Sequence, residues 1–171
     1  PPWAGRFPET NVRTYVTDRT GRRGIWFFSL DAARLGAVLT ARTTYRLPYF
    51  WSRMNVARRA DVVRYDCVRR WPGAGSAQDH VVVEVGPVFA AGELTERDHF
   101  LTARWTLFSA AAGHLRYADA EHAPWPLRRA KVRWVRDELV QAAGLPAPDG
   151  EPIVHFSEGV DVRIGRPHTV G

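Results

Sequence analysis

Polar residues alternate with Thr and Val in the segment ETNVRTYV, which spans Glu9 to Val16. Successive side chains of a β-strand point to opposite faces of the sheet, so this alternation predicts a strand with two unlike faces. One face carries a carboxylate, an amide, a guanidinium and a phenol, from Glu9, Asn11, Arg13 and Tyr15. Such a face meets either bulk water or a pocket, and the pattern alone leaves both alternatives open.

Further strands are predicted where apolar or aromatic runs stand between turn-forming segments. The run GIWFFSL, residues 24–30, follows the polar turn DRTGRRG, so we expect it to form a hairpin with the first strand. The other predicted strands are 48–56, 62–71, 80–86, RWTLFSA, GHLRYADAEH after a turn at Gly113, a strand near 130–135, and 153–165 as one strand or two with a bend at Gly159.

Capping residues and helical spacing predict short helices. Ser29 is expected to cap a helix that starts near Asp31. This helix should end by Tyr45, because Pro48 disfavours helical backbone in the residue before it. The other helices are predicted in TERDHFLTAR, capped by Thr95, and over Asp137–Ala143, closed by Gly144.

These elements amount to about nine short strands and about three short helices. Neighbouring strands joined by short turns favour antiparallel pairing. At 171 residues, 45% of them hydrophobic, the chain suffices for one domain with a sizeable core. We therefore predict an α+β fold with a dominant antiparallel sheet, and the pattern leaves open whether the sheet closes into a barrel.

Composition narrows the range of partners. The net charge of +6 raises nucleic acid as a partner, but the basic residues, all arginines except Lys131, form no basic run and no helix-turn-helix pattern. No segment approaches the ~18 apolar residues of a membrane span, and no signal peptide opens the sequence. The only cysteine, Cys67, can form no internal disulfide, which fits a reducing compartment. We expect a cytoplasmic protein with no nucleic-acid partner and no membrane association.

Several segments together resemble a family of bacterial proteins of unknown function, the YqjF-like family. They are FPETNVRTYV, GIWFFSLDAARL, YRLPYFWSRM, HFLTARWTLF, EHAPWPLRRA and VHFSEGVDVRIG, which cover nearly the whole chain in the family's order. Members of that family carry a further N-terminal stretch. The resemblance therefore implies that residues 1–171 are a single domain that lacks the family's N-terminal segment.

The YqjF-like family in turn resembles the acetoacetate decarboxylase superfamily, through the strand FPETNV and the turn YRLPYF after a helix. This resemblance implies a closed, mainly antiparallel β-barrel with an internal cavity. In the decarboxylases the residue after the proline is the Schiff-base lysine, followed by a second cation. Here these positions hold Tyr49 and Phe50, and a Schiff base needs a primary amine. We expect no Schiff-base decarboxylation, and whether the protein is an enzyme stays open.

The resemblance makes Glu9 an inward carboxylate and places Tyr49 at the lysine position. We take these residues, with His122 of the proline-stiffened segment EHAPWP, as candidate catalytic residues, because all three side-chain types can exchange protons. The candidate ligand-binding residues are Asn11, Arg13, Tyr15, Trp51, Arg53, Arg104, Trp125 and His155. Histidines without HxH or HxxxH spacing predict no metal, and we expect no cofactor.

Most of these candidates also have a structural interpretation. Arg13 suits a ligand carboxylate or an internal ion pair, and Arg104 suits a ligand anion or a strand anchor. The aromatic residues suit a pocket wall or the core. His122 and His155 suit hydrogen-bonded structural positions equally well.

The sequence favours a protein that binds a small organic anion, with enolisation or lyase chemistry if it is an enzyme. The alternative is a non-catalytic ligand sensor or an oligomeric scaffold, such as a homodimer, whose barrel is filled by its own side chains. The two interpretations predict different surroundings for Glu9. The first places Glu9 in an open cavity with Arg13 and Tyr49, and the second places it in a packed interior or in bulk solvent.

Overall fold

A computed structural model describes residues 7–73, 75–90 and 92–170 of the chain. The strands are β1 (Glu9–Thr17), β2 (Arg23–Ala32), β3 (Tyr49–Arg59), β4 (Val62–Trp71), β5 (Gln78–Val88), β6 (Thr106–Ala111), β7 (His114–Glu121), β8 (Leu127–Asp137), β9 (His155–Ser157), β10 (Arg163–Ile164) and β11 (His168–Thr169). The helices are α1 (Leu35–Thr40), which continues as a π-helical turn over Ala41–Tyr45, α2 (Glu96–Thr102) and α3 (Leu139–Ala142). Over these residues the chain is mostly β-sheet with short helices.

The described residues divide into two compact units. The first unit contains residues 7–13, 27–73, 75–84 and 132–153. The second unit contains residues 14–26, 85–90, 92–131 and 154–170. The boundaries fall inside β1, β2, β5 and β8, so each of these strands contributes residues to both units.

The first unit is organised around β3 and β4. The end of β2 pairs in parallel with the start of β3, with Leu30 opposite Tyr49. β3 and β4 form an antiparallel hairpin, and β4 pairs antiparallel with β5, which places Cys67 opposite Asp79. The apolar core of this unit consists of Leu30, Ala32, Val38, Leu47, Val63, Cys67, Val83 and Leu139, all buried. This packing fixes the strand ends that carry the candidate site.

The second unit is built on the antiparallel hairpin of β6 and β7, which turns at Gly113. The first half of β2 pairs in parallel with β6, while β9 pairs with β8, and β10 and β11 pair with β7. Glycine is required at position 24, because a Cβ on Gly24 would lie 2.6 Å from the ring of the buried Phe108. A capping box between Thr95 and Asp98 starts α2.

Most predicted elements are confirmed, and one is wrong. The β1–β2 hairpin forms, the first helix ends at Tyr45, and Thr95 caps α2. The predicted helix start at Ser29 and Asp31 is wrong, because both residues are buried in β2. Pairing with β3 extends β2 to Ala32, and this tertiary contact outweighs the local capping signal.

The predicted closed antiparallel barrel is not confirmed. Most pairings are antiparallel, but β2 pairs in parallel with β3 in the first unit and with β6 in the second, so the sheet pairing is mixed. The parallel pairing with β3 follows from the helical connection over 35–45, since parallel neighbours need a long crossover. The strand pairings among the described residues do not join into a closed ring. Over the same ranges no helix has the length and apolar character to cross a bilayer.

Candidate functional site

Glu9 and Tyr49, the first residues of β1 and β3, are joined by a hydrogen bond. The Tyr49 hydroxyl donates to Glu9 Oε2 across 2.7 Å. A proline precedes each of these residues, and the two proline carbonyl oxygens accept the backbone N–H groups of Leu30 and Ala33 across 3.1 Å. Backbone contacts to the end of β2 therefore position two side chains that are far apart in the sequence.

The surroundings of this pair set the protonation of its members. Burial raises the pKa of Glu9 above its ordinary value, while hydrogen bonds from Tyr49 and Asn11 partly offset the shift. Burial and the Glu9 charge raise the pKa of Tyr49, which therefore keeps its proton and donates at neutral pH. By area Glu9 is exposed, although protein atoms surround its carboxyl group. Such a group lines a concavity that water enters, and solvent screening limits its pKa shift.

A groove of about 620 Å³, which we call the outer groove, opens beside Glu9. It runs along Glu9–Arg13 of β1, and β5, the end of β8 and α3 form its other walls. The guanidinium of Arg13 and the carboxyl groups of Glu9, Asp79 and Asp137 belong to its lining. No group of three or more His, Cys, Asp or Glu side chains within residues 7–73, 75–90 and 92–170 is arranged to hold a metal ion.

Asp79 is the least satisfied carboxyl group of the outer groove. It is 8% exposed, and no hydrogen bond reaches its carboxyl group from the residues that the structure describes. Burial, followed by repulsion from Asp137, raises the pKa of Asp79 to about 6, against a smaller lowering by His80. Asp137, by contrast, caps α3, since its Oδ1 accepts the Leu139 N–H across 2.7 Å. A buried carboxyl group with a pKa near neutrality suits general acid–base chemistry.

A smaller cavity of about 370 Å³, the inner cavity, lies against the same side chains. It shares Glu9, Thr10, Asp79 and Val81 with the outer groove. Residues of β3 and β4 form much of its remaining wall, among them Met54, Val56, Tyr65 and Cys67. Burial raises the pKa of Cys67 to about 12, so its side chain is a neutral thiol packed in this wall.

Asp31, another carboxylate of the first unit, is fully buried and fully paired. Arg69 donates from Nε to Asp31 Oδ1 across 2.9 Å and from Nη2 to Oδ2 across 2.7 Å. The Ser52 hydroxyl also donates to Oδ1, across 2.7 Å. The Arg69 guanidinium lies 3.7 Å from the centre of the Phe50 ring. Asp31, Ser52 and Arg69, the Asp31 cluster, form a closed network that needs no ligand.

Of the predicted site residues, the first unit brings together Glu9, Asn11, Arg13 and Tyr49. Trp51 and Arg53 lie farther along β3, where both are exposed. They line neither the outer groove nor the inner cavity. Both parities of β1 line the outer groove, since Thr10 and Val12 belong to its wall as well as Glu9, Asn11 and Arg13. The ligand-binding roles expected from the alternation stay predictions.

The predicted catalytic residue His122 lies in the second unit, where backbone carbonyl groups hold it. Its Nδ1 lies 2.7 Å from Ala123 O, and its Nε2 lies 3.0 Å from Arg104 O. The ring stacks on Trp105 at 5.7 Å between centroids and lies 5.4 Å from the ring of Trp125. Each ring nitrogen faces a backbone carbonyl oxygen of the unit, and the N–H of the ring donates to one of them. These contacts give His122 and Trp125 a structural role, and a site role for either stays a prediction.

Tyr15, Arg104 and His155 also lie in the second unit. The Tyr15 hydroxyl donates to Leu101 O across 2.9 Å, and the buried Arg104 guanidinium lies 5.1 Å from the Tyr15 ring centre. His155 Nε2 lies 2.9 Å from Asp98 Oδ1. Each of these side chains has contacts within its own unit, and their predicted role in ligand binding stays a prediction.

Asp79 is the candidate that the sequence interpretation missed. The strand is predicted over residues 80–86, which does not include Asp79. In the structure β5 starts at Gln78, and Asp79 lies on the same face of the strand as Val81, Val83 and Val85. A carboxylate in register with the apolar face of a strand is the sequence signal that identifies it.

Comparison with known proteins gives a family. Residues 1–161 match DUF2071, a family described as uncharacterized conserved proteins. The chain is 35% identical over 161 residues to the uncharacterized protein YqjF of Bacillus subtilis strain 168. The match covers 94% of this chain and 65% of that relative, so the chain spans less than two thirds of the relative's length.

The fold is similar to that of a solved enzyme. The crystal structure of acetoacetate decarboxylase from Legionella pneumophila matches with a TM-score of 0.64 over 98% of this chain and 68% of that chain. At 12% sequence identity this likeness establishes the fold alone. The resemblances expected from the sequence are therefore confirmed, and the chain belongs to the DUF2071 family.

Proposed function

We propose that the first unit binds a small organic anion in the outer groove, with Arg13 as its charge partner. The observation that carries this proposal is the Tyr49–Glu9 hydrogen bond of 2.7 Å beside a groove of about 620 Å³ that Arg13 also lines. Ligand pockets are concave and contain a few convergent polar groups, and a guanidinium binds a carboxylate through two parallel hydrogen bonds. The groove has open volume, and this favours ligand binding rather than the alternative of a barrel filled by its own side chains.

The reaction class that these groups favour is proton transfer at a carbon next to a carbonyl, as in enolisation or lyase chemistry. Glu9 and Asp79 both have pKa values raised toward neutrality, which suits proton exchange at physiological pH. The Tyr49 hydroxyl keeps its proton and donates a hydrogen bond to Glu9, so it holds the Glu9 carboxyl group in place beside the groove. A sensor that binds the same anion without reaction uses the same contacts, and solvent exchange of the ligand's hydrogens separates the two functions.

Schiff-base catalysis is not part of the proposal. Lys131 is the only lysine of the chain, and it is exposed on β8 in the second unit. A catalytic lysine is activated by removal from water or by a neighbouring cation. The assignment of Tyr49 to the lysine position of the decarboxylases comes from the sequence resemblance and is part of this proposal. The structural likeness to a decarboxylase does not identify a substrate for this chain.

Thermal unfolding with a panel of keto acids, hydroxy acids and acyl anions tests the proposal. A ligand at a hundred times its dissociation constant stabilises the folded state by about 2.7 kcal/mol, which raises the melting temperature by roughly 5 to 10 °C. We expect Arg13→Ala to abolish this shift. Arg53→Ala is the matched control, because it removes an exposed arginine of the same unit that lines neither cavity. Equal shifts in both variants, or no shift with any compound, would contradict the proposal.

A further inference from the structure

The outer groove and the inner cavity meet at shared side chains. Glu9, Thr10, Asp79 and Val81 line both spaces. The two carboxyl groups therefore stand at the junction of a larger, open space and a smaller one. A ligand that enters the outer groove and extends inward passes these two groups.

The two spaces differ in the residues that line them. The wall of the inner cavity contains the apolar or sulfur-bearing side chains of Met54, Val56, Val81 and Cys67. Tyr65 and Asp66 are also in its wall, and Asp66 is already engaged, because Arg64 Nε donates to it across 2.9 Å and His80 Nδ1 lies 2.8 Å from it. Asn55 also hydrogen-bonds Asp66. Apart from the junction itself, the inner cavity thus suits an apolar group, whereas the outer groove contains the Arg13 charge.

Asp79 supplies the polar contact at the junction. As a residue Asp79 is 8% exposed, it accepts no hydrogen bond from the described residues, and it belongs to the walls of both spaces. A buried polar group without a partner is costly, and buried polar groups elsewhere in proteins are almost always paired. A ligand hydroxyl that donates to the carboxylate, or an oxo oxygen that accepts from the protonated acid, removes this cost.

From these contacts we propose that the ligand is a carboxylate with an apolar acyl chain and an oxo or hydroxyl oxygen between the two. The carboxylate lies at Arg13 in the outer groove, and the chain occupies the inner cavity. On the intervening carbon, a hydroxyl group donates to the Asp79 carboxylate, or an oxo oxygen accepts from Asp79 when that carboxyl group is protonated. This inference rests on the proposed function and adds the substrate class. It makes Asp79 and Val56 the residues that determine specificity.

Chain length gives the first test. Dissociation constants are measured by calorimetry for pyruvate, 2-oxobutanoate, 2-oxohexanoate and 2-oxooctanoate, and for hexanoate, which lacks the oxo group. Each added methylene group that enters an apolar cavity should tighten binding about fourfold until the cavity is full. At pH 5, where Asp79 keeps its proton and can donate to the oxo oxygen, we expect hexanoate to bind more weakly than 2-oxohexanoate. We expect Asp79→Ala, which has neither donor nor acceptor at this position, to reduce that difference.

Filling the inner cavity gives the second test. Val56 is 46% exposed on β3, so Val56→Trp places a large ring at this cavity without enlarging a packed core residue. We expect Val56→Trp to bind pyruvate like the wild type and to lose the gain from longer chains. Leu39→Trp is the matched control, because Leu39 is 46% exposed on α1 in the same unit and lines neither space.

The results separate this inference from the proposed function. If no compound binds in a manner that depends on Arg13, the proposed function fails and the inference fails with it. If short anions bind through Arg13 but longer chains give no gain, only the inference is overturned. A gain from longer chains that persists in Val56→Trp overturns it equally. Should Val56→Trp not fold, the chain-length series and the hexanoate comparison on the wild-type protein decide.

Discussion

Asp31 and Asp79 are both buried carboxyl groups of the first unit, and their surroundings are opposite. Asp31 is 0% exposed and accepts hydrogen bonds from Arg69 and Ser52 on both of its oxygens. Asp79 is 8% exposed, accepts none from the described residues, and lines two open spaces. Burial alone does not distinguish a functional carboxylate from a structural one.

The difference lies in which groups meet the electrostatic cost of burial. In the Asp31 cluster the protein supplies a bidentate guanidinium and a hydroxyl, so the charge is compensated in the folded state. At Asp79 burial, followed by repulsion from Asp137, raises the pKa, so the proton is retained to higher pH. The first arrangement holds strands together, and the second is the one at which we propose that a ligand binds.

The largest effect should follow from removal of one member of the Asp31 cluster. Arg69→Met leaves the Asp31 carboxylate buried without its counter-ion, which typically costs about 3 to 5 kcal/mol of the free energy of unfolding. Urea denaturation measures the loss. Arg70→Met is the control, because the neighbouring Arg70 is exposed and should change stability by less than about 0.5 kcal/mol. Equal, small losses in both variants would show that the Asp31 cluster does not stabilise the fold.

The next largest effect is that of Asp79→Asn, which should raise the free energy of unfolding instead of lowering it. The pKa of Asp79 is about 6 in the folded protein against 3.8 ordinarily, so the folded state binds more protons between these values and its stability falls as the pH rises. Above about pH 6 the full cost of roughly 3 kcal/mol is present. Asp79→Asn removes this titration. We expect the variant to be more stable than the wild type at pH 8, and to have little advantage near pH 4.

Thermal unfolding over this pH range measures the Asp79 effect. Asp61→Asn serves as a control, since Asp61 is an exposed residue in the turn between β3 and β4. A loss of stability in Asp79→Asn at pH 8 would refute the view that the Asp79 carboxylate is uncompensated.

The smallest effect concerns the Tyr49–Glu9 hydrogen bond. Tyr49→Phe removes one partly exposed contact, so we expect a loss of about 1 kcal/mol in the free energy of unfolding. Because the Tyr49 hydroxyl lowers the pKa of Glu9, the pKa of Glu9 should rise further in the variant, as followed by carboxyl-carbon NMR. Tyr45→Phe is the control, as Tyr45 lies in the π-helical turn away from this hydrogen bond. A lower or unchanged pKa of Glu9 would contradict the assigned contact.

Local patterns predicted much of the strand content. Alternation identified β1, the limits of β4 match the prediction, and Thr95 was recognised as a cap from its position before a polar helix. The same kind of signal failed at Ser29 and Asp31, which have the residue types of a helix start. Pairing of β2 with β3 decides their conformation, and that contact joins segments that local sequence does not relate.

The candidate site was predictable only in part, for the same reason. Alternation placed Glu9 and Arg13 on one strand, whereas the pairing of Glu9 with Tyr49 came from a family resemblance and not from spacing. Asp79 was missed because its burial depends on Cys67 opposite it on β4 and on the end of β8, both distant in the chain. Whether a carboxylate is paired depends on tertiary contacts. Sequence patterns indicate only which carboxylates lie on the apolar face of a strand.

The pKa of Asp79 is the most direct test of this account. Carboxyl-carbon NMR of aspartate-labelled protein follows each titration, and the Asp79 signal is assigned by its absence in Asp79→Asn. The account predicts a midpoint of about 6, and a change in that midpoint when a ligand of the outer groove is added. A midpoint near the ordinary value of 3.8 that no anion changes would mean that Asp79 is paired or solvated like any surface carboxylate, and the central claim would be wrong.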